Sequence, residues 1–389
     1  MAEAPVVEID LYSDDVIVDP WPVYARMREL GPVVWLPVHE NFALTRGKEI
    51  REALRDPETF CSGRGVAADQ FGCDYLQGNT VASDPPRHTQ LRQAMMPPLT
   101  PASLQEIAPK IGEMAEALIM DLVSRGSFDA VPDLAQHLPL TIVRDMVGLP
   151  DFGRENMLKW AAAAFNVLGV QNARGCAAIE QIEEMRAFIA EGLKDESLGP
   201  ESWIARIREM EKRGEIDDSL APFAIRDYIN PSLDTTISAL GHLIWHLGSN
   251  PDQWELLKQR PDLTLNAAHE AVRLGTPIRS FCRQTTKDVE IGGVTVPEGS
   301  RVMMLFASAN RDERVFEDAD RFDITRNNRR HLGFGAGIHM CIGMHLALAE
   351  MDAVLKAMLG HVDRVEVGQP EVAMNNTIHA FASLPARFS

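Results

Sequence analysis

The stretch HLGFGAGIHMCIGMHLALAEM, residues 331–351, decides how this chain folds. Gly335, Gly337 and Gly343 surround Cys341, and an apolar run with helical spacing follows directly. Glycines permit a tight loop and let backbone approach a flat ligand closely. A cysteine at a helix start has its thiolate stabilised by free amides and by the helix dipole. An anionic sulfur ligand to iron needs that environment. His339, two residues earlier, is placed to donate to an acidic group on the same ligand. One cysteine beside one glycine would read as a buried thiol in a turn. Here Phe334, Gly335, Gly337, His339, Cys341 and Gly343 fit a single pattern. Such a match arises by chance far below once in about a thousand chains of this length.

Working outward, the 389 residues are 45% hydrophobic, which suits a protein with a large core. No linker, repeat or low-complexity tract divides them, so one unit spanning 1–389 is expected. The five cysteines, Cys61, Cys73, Cys176, Cys282 and Cys341, are odd in number, widely spaced and without a CxxC pair. That argues against a disulfide framework or a zinc site. The formal net charge of −18 disfavours nucleic acid and anionic membrane as partners. No run reaches the roughly 18–20 apolar residues of a membrane helix. The start, MAEAPVVEIDLYSDD, is acidic where a signal peptide is basic, so a cytoplasmic protein is expected.

Most of the chain reads as helix. Residues 21–30, 102–126 and 250–274 carry apolar side chains three and four apart. Residues 32–37 and 41–46 predict an early hairpin, and 288–310 a second one turning at Gly292-Gly293. The fold class is therefore mainly α with a small β region. Residues 217–248 predict one long helix that would span on the order of 45 Å. Asp217, Asp218 and Ser219 can cap its start. Pro231, in the middle of Asn230-Pro231-Ser232-Leu233-Asp234-Thr235-Thr236, should kink it.

The 331–351 segment resembles the haem-binding loop of cytochromes P450, Phe-Gly-x-Gly-x-His-x-Cys-x-Gly, at every fixed place. The likeness extends over nearly the whole chain. Glu270-Ala-Val-Arg273, about 70 residues before the cysteine, is similar to the family's Glu-x-x-Arg motif. Alone it would read as a surface ion pair. The resemblance implies a buried pair braced by a meander that includes Asn310-Arg311-Asp312 and Arg321-Phe322-Asp323. It also implies a single large domain of the P450 fold. Haem b would have Cys341 as its metal ligand and the donors His88, Arg92, Arg283 and His339 at its propionates.

Asp234-Thr235 resembles the acid–alcohol pair of the family's long central helix. There the hydroxyl serves bound oxygen and the acid relays protons. An isolated threonine would instead bond back to the carbonyl four residues earlier. Where the family carries Ala-Gly, this chain has Pro231-Ser232. Proline cannot bond the carbonyl of Asp227, so it opens the helix by another route.

The resemblance implies a monooxygenase that uses O2, with electrons from a ferredoxin and its reductase, acting as a monomer. Arg87, Arg92, Arg329 and Arg330 are candidates for a basic docking surface. A peroxide-driven enzyme and a non-catalytic haem-thiolate sensor are the alternatives, and the Asp234-Thr235 pair speaks against both. Residues 60–66, 165–169 and 375–385 resemble members that oxidise small para-substituted aromatic acids. A compact pocket is expected from Arg64, Phe165, Leu168, Asp227, Ile229, Phe281 and Cys282, with Arg64 holding a carboxylate. A small aromatic undergoing hydroxylation or O-demethylation is the expected substrate.

If the sulfur at position 341 binds the iron, Cys341→Ser abolishes the absorption signature of thiolate-bound haem. Serine at Cys61, Cys73, Cys176 or Cys282 leaves it intact. The spectrum of the reduced, carbon monoxide-treated protein distinguishes the two outcomes.

Overall fold

A helical body and a sheet body each bury their own apolar side chains, and the candidate site lies where they meet. The computed structural model describes residues 3–148, 156–192, 199, 202–229 and 231–389. The sheet body orders its strands Val33–Leu36, Asn41–Leu44, Arg301–Leu305, Ser280–Thr285 and Phe60–Cys61. The first two form the early hairpin, in register from Val33 with Leu44 to Leu36 with Asn41. Asn41–Leu44 then runs parallel to Arg301–Leu305.

The second hairpin is shorter than the sequence suggests. Only Val289–Ile291 and Val294–Val296 pair, across Gly292 and Gly293 at φ 60° and 85°. Both central residues at positive φ define the turn that suits a two-residue hairpin. Arg301–Leu305 leaves the hairpin and joins the larger sheet.

The helical body is built round Asp234–Ser249. Thr236 to Ile244 and Leu247 are all buried there, as expected of a helix packed on every side. The ion-pair helix Thr264–Gly275 packs against it, and the cysteine helix Met344–His361 packs against both that helix and Pro101–Arg125.

Two long helical readings are corrected. The 217–248 stretch is broken: one helix, Ala221–Ile229, ends before Pro231, and the next starts at Asp234. Pro231 has no N–H to give. The Ser232 hydroxyl takes the carbonyl of Tyr228, and the Thr235 hydroxyl takes that of Pro231 at 2.8 Å. Asn230 lies outside the described residues. The 250–274 stretch divides into Pro251–Gln259 and Thr264–Gly275. Arg260, at φ −129° and ψ 69°, precedes Pro261, and a residue before proline is pushed out of the helical region.

Glu270 and Arg273 are fully buried and form a two-pronged pair, Nε to Oε2 at 2.8 Å and Nη2 to Oε1 at 2.7 Å. Arg273 also donates to the carbonyls of Asn310, Ala319 and Arg321. Glu270 accepts from the Asp323 amide and from Arg326. Arg273 Nη1 and Nη2 and Glu270 Oε1 are thereby held by the 310–326 meander, while Nε and Oε2 hold each other.

Removing one partner strands the other in the interior. Arg273→Ala should cost about 3–5 kcal/mol of folding stability. Arg273→Lys should recover little, because one ammonium cannot match a planar fork. Thermal unfolding of the two variants beside the parent measures both effects.

Candidate haem-thiolate site

The loop before the cysteine helix is shaped by close contacts. Gly335 and Gly337 adopt φ 71° and 70°. A Cβ on Gly337 would lie 2.0 Å from the Leu54 carbonyl oxygen. The Cys341 amide donates to the Phe334 carbonyl at 2.8 Å, which folds the loop back on itself. Cys341 thereby opens onto a cavity that Thr235, Phe281, Phe165 and Asp227 also line. Burial raises the thiol, while the Gly343 and Met344 amides and the Arg92 charge favour the thiolate. The first helical residue is Met344, so the sulfur sits at the helix entrance rather than within it.

Arg92, Arg283 and His339 line the cavity, and His88 stands beside His339. The rings of His88 and His339 stand 4.3 Å apart. Arg283 is buried and gives one N–H to the Cys282 carbonyl at 2.7 Å. Arg92 donates to the carbonyl of Met340. Burial, followed by the neighbouring positive charges, holds His339 well below its ordinary value. The Nε2 atoms of both histidines are buried without a hydrogen-bond partner. Asp84 is the nearby acid, and its carboxylate is taken by the amides of Ser62 and Gly63.

Two unsatisfied nitrogens and two arginines would suit two carboxylates, the number haem b carries. Cys341 alone would supply the sulfur ligand to its iron. Among the described residues no group of three or more His, Cys, Asp or Glu side chains could hold a metal ion by itself. The residues present therefore fit haem.

Thr235 lines this cavity, but Asp234 is half-buried beside it and does not. Loss of hydration pushes the Asp234 carboxyl up to about 7. The Thr235 hydroxyl does make the back-bond to the carbonyl four residues earlier, and the residue still lines the chamber.

Of the expected pocket, Phe165, Leu168, Asp227 and Phe281 line the cavity. Three residues do not. Arg64 is exposed and away from it. Cys282 points to the opposite face of Ser280–Thr285 from Phe281 and Arg283, because strand side chains alternate. Ile229 packs into the helical core instead.

Glu350, on the cysteine helix, also reaches the cavity wall. It is buried, its Oε2 has no partner, and burial pushes it up to about 8. No sequence signal marked it, since a lone glutamate in a helix usually reads as solvated.

Comparison with known proteins agrees with the geometry. The Cytochrome P450 family model matches residues 246–388. Cytochrome p450 CYP199A2 of Rhodopseudomonas palustris is 37% identical, over 100% of this chain and 95% of that one. The linalool 8-monooxygenase of Pseudomonas putida is 34% identical over 92% of each. The structure of Mycobacterium marinum cytochrome P450 CYP268A2 in complex with pseudoionone superposes with a TM-score of 0.88 at 27% identity, covering all of both chains.

Fold and site together define a haem-thiolate monooxygenase. The chain belongs to the cytochrome P450 family. Among the described residues no helix is long and apolar enough to cross a membrane.

The Glu350 carboxyl predicts a pH dependence. Below about 4.5 it is protonated in folded and unfolded chains alike, at no cost. As pH rises towards about 8 the unfolded chain ionises and the folded one resists, so stability falls. Glu350→Gln should match the parent at the acid end, gain on it progressively through that window, and gain no more above it. Melting temperatures across a pH series provide the check.

Proposed function

We propose that the chain inserts one atom of O2 into a small, largely apolar aromatic substrate, by hydroxylation or O-demethylation, with electrons from a ferredoxin and its reductase. The observation that carries this reading is that Thr235 lines the same cavity as Cys341, at a break in the central helix. Haem, when bound, would supply the reducible iron, and Cys341 would supply the thiolate whose donation favours O–O cleavage. The chain supplies position and protons. Thr235 has given its hydrogen to Pro231, so its oxygen presents lone pairs to a protonated group in the chamber. Asp234 titrates near neutrality and can deliver a proton and recover it from solvent.

Aromatic and aliphatic side chains, Phe165, Leu168, Phe281 and Ile278 among them, shape a chamber suited to a compact apolar skeleton. For electron supply, Arg51 leans on the Arg330 carbonyl, and Arg55 and Arg330 crowd it with like charge. The chain carries a net −18, so a local basic cluster can steer an acidic partner. Arg87 takes no part in that cluster. It bonds the Gly78 carbonyl and lies over the Phe223 ring. We further propose one catalytic unit spanning 1–389, a monomer of the cytoplasm.

Thr235→Ala should leave NADH consumption largely intact while product per NADH falls several-fold and peroxide rises. An unchanged product yield would refute the proton-delivery role. Turnover with peroxide and no reductase, equal to that with O2 and NADH, would favour a peroxygenase.

A further inference from the structure

The substrate end of the cavity carries one acid that neither the haem contacts nor proton delivery uses. Asp227 lines the chamber from the helix Ala221–Ile229. Its Oδ2 accepts two bonds from Thr80, the amide at 2.7 Å and the hydroxyl at 2.5 Å. Thr80 stands 147 positions earlier in the chain, so two separate segments fix the carboxyl. Among the described residues no hydrogen bond reaches Oδ1. Burial raises the carboxyl, which marks a site poor in water. The charges of Arg226 and Arg87 bear on it. Both guanidinium groups lie over the Phe223 ring, at 4.3 and 4.6 Å, and neither side chain lines the cavity.

These surroundings select among head groups. An anion would meet a carboxyl in a poorly hydrated chamber, and Arg64 is not there to receive it. A cation would find the negative charge already answered from behind by two arginines. A neutral donor suits the site: it fills the free lone pairs and brings no charge out of water.

We propose that Asp227 is a specificity-determining residue that receives the hydroxyl of an uncharged, hydroxyl-bearing substrate and leaves the opposite end facing Thr235 and Cys341. This rests on the monooxygenase reading of the cavity and adds a hydroxyl to the substrate it takes, a phenol or an alcohol in place of an acid.

The test measures binding to the holoprotein by haem spin shift and by calorimetry. Probes are para-methoxyphenol, para-methoxytoluene, para-methoxybenzoate and para-methoxybenzylamine, with a terpene alcohol and its hydrocarbon counterpart as a non-aromatic pair. The parent should bind the phenol about tenfold tighter than the toluene, the ratio that one hydrogen bond to a charged group gives. In Asp227→Ala and Asp227→Asn the toluene affinity should hold while the phenol preference shrinks to about twofold or less. The benzoate should gain in both. Thr80→Val, which keeps the carboxyl but loosens it, should weaken the preference part-way.

A phenol preference that survives in Asp227→Ala overturns the assignment. So does a parent that prefers the benzoate or the amine. If no aromatic probe binds but the alcohol outbinds its hydrocarbon through Asp227, the aromatic reading falls and the assignment stands. If neither pair shows a hydroxyl preference, the assignment is wrong.

Discussion

A charge with no exposure to water holds the cysteine loop in place. Arg273 touches its own helix through Glu270 and the meander through three carbonyls. One of those carbonyls belongs to Asn310. The Asn310 side chain accepts the Leu332 amide at 2.6 Å and donates to Thr276 at 2.9 Å. The guanidinium therefore reaches the 331–351 segment through one intervening residue. A buried pair is only about neutral for stability against apolar substitutes. Its worth here is positional: the fork accepts one arrangement of carbonyls, and that arrangement aims Cys341 into the chamber.

On the wall of the cavity that Cys341 lines, the structure departs from regular helix. A helix buried on all sides normally closes every backbone bond internally. At this break the carbonyls of Tyr228 and Pro231 go to the hydroxyls of Ser232 and Thr235 instead. Those bonds satisfy two of the acceptors around the interruption. They also commit the Thr235 hydrogen and leave its oxygen lone pairs free. The structural bond and the proposed catalytic role would thus sit on one side chain.

The parts legible in the sequence were those written in short, contiguous spacing. The Cys341 loop and the Glu270–Arg273 turn depend on local geometry, so their neighbours announced them. The cluster of His88, Arg92 and His339 was legible as well, because these residues sit in recognisable segments. Facing was not legible. Phe281, Cys282 and Arg283 are adjacent, and only the pairing of their strand decides which of them meet the cavity. Ile229 and Asp227 are two residues apart on one helix, and the phase of that helix separates them. The Thr80–Asp227 contact joins distant segments, and Glu350 carries no motif. Each needed the packed structure to be seen.

Pro231 sets a lasting condition on the chamber. An interruption made by small residues can zip shut when the chain relaxes, since every amide there still has a hydrogen to give. An imino acid never has one. The break in the helix is therefore written into the covalent chain. The missing donor stays missing whether the chamber is filled or empty, and whatever the protonation of the acid beside it.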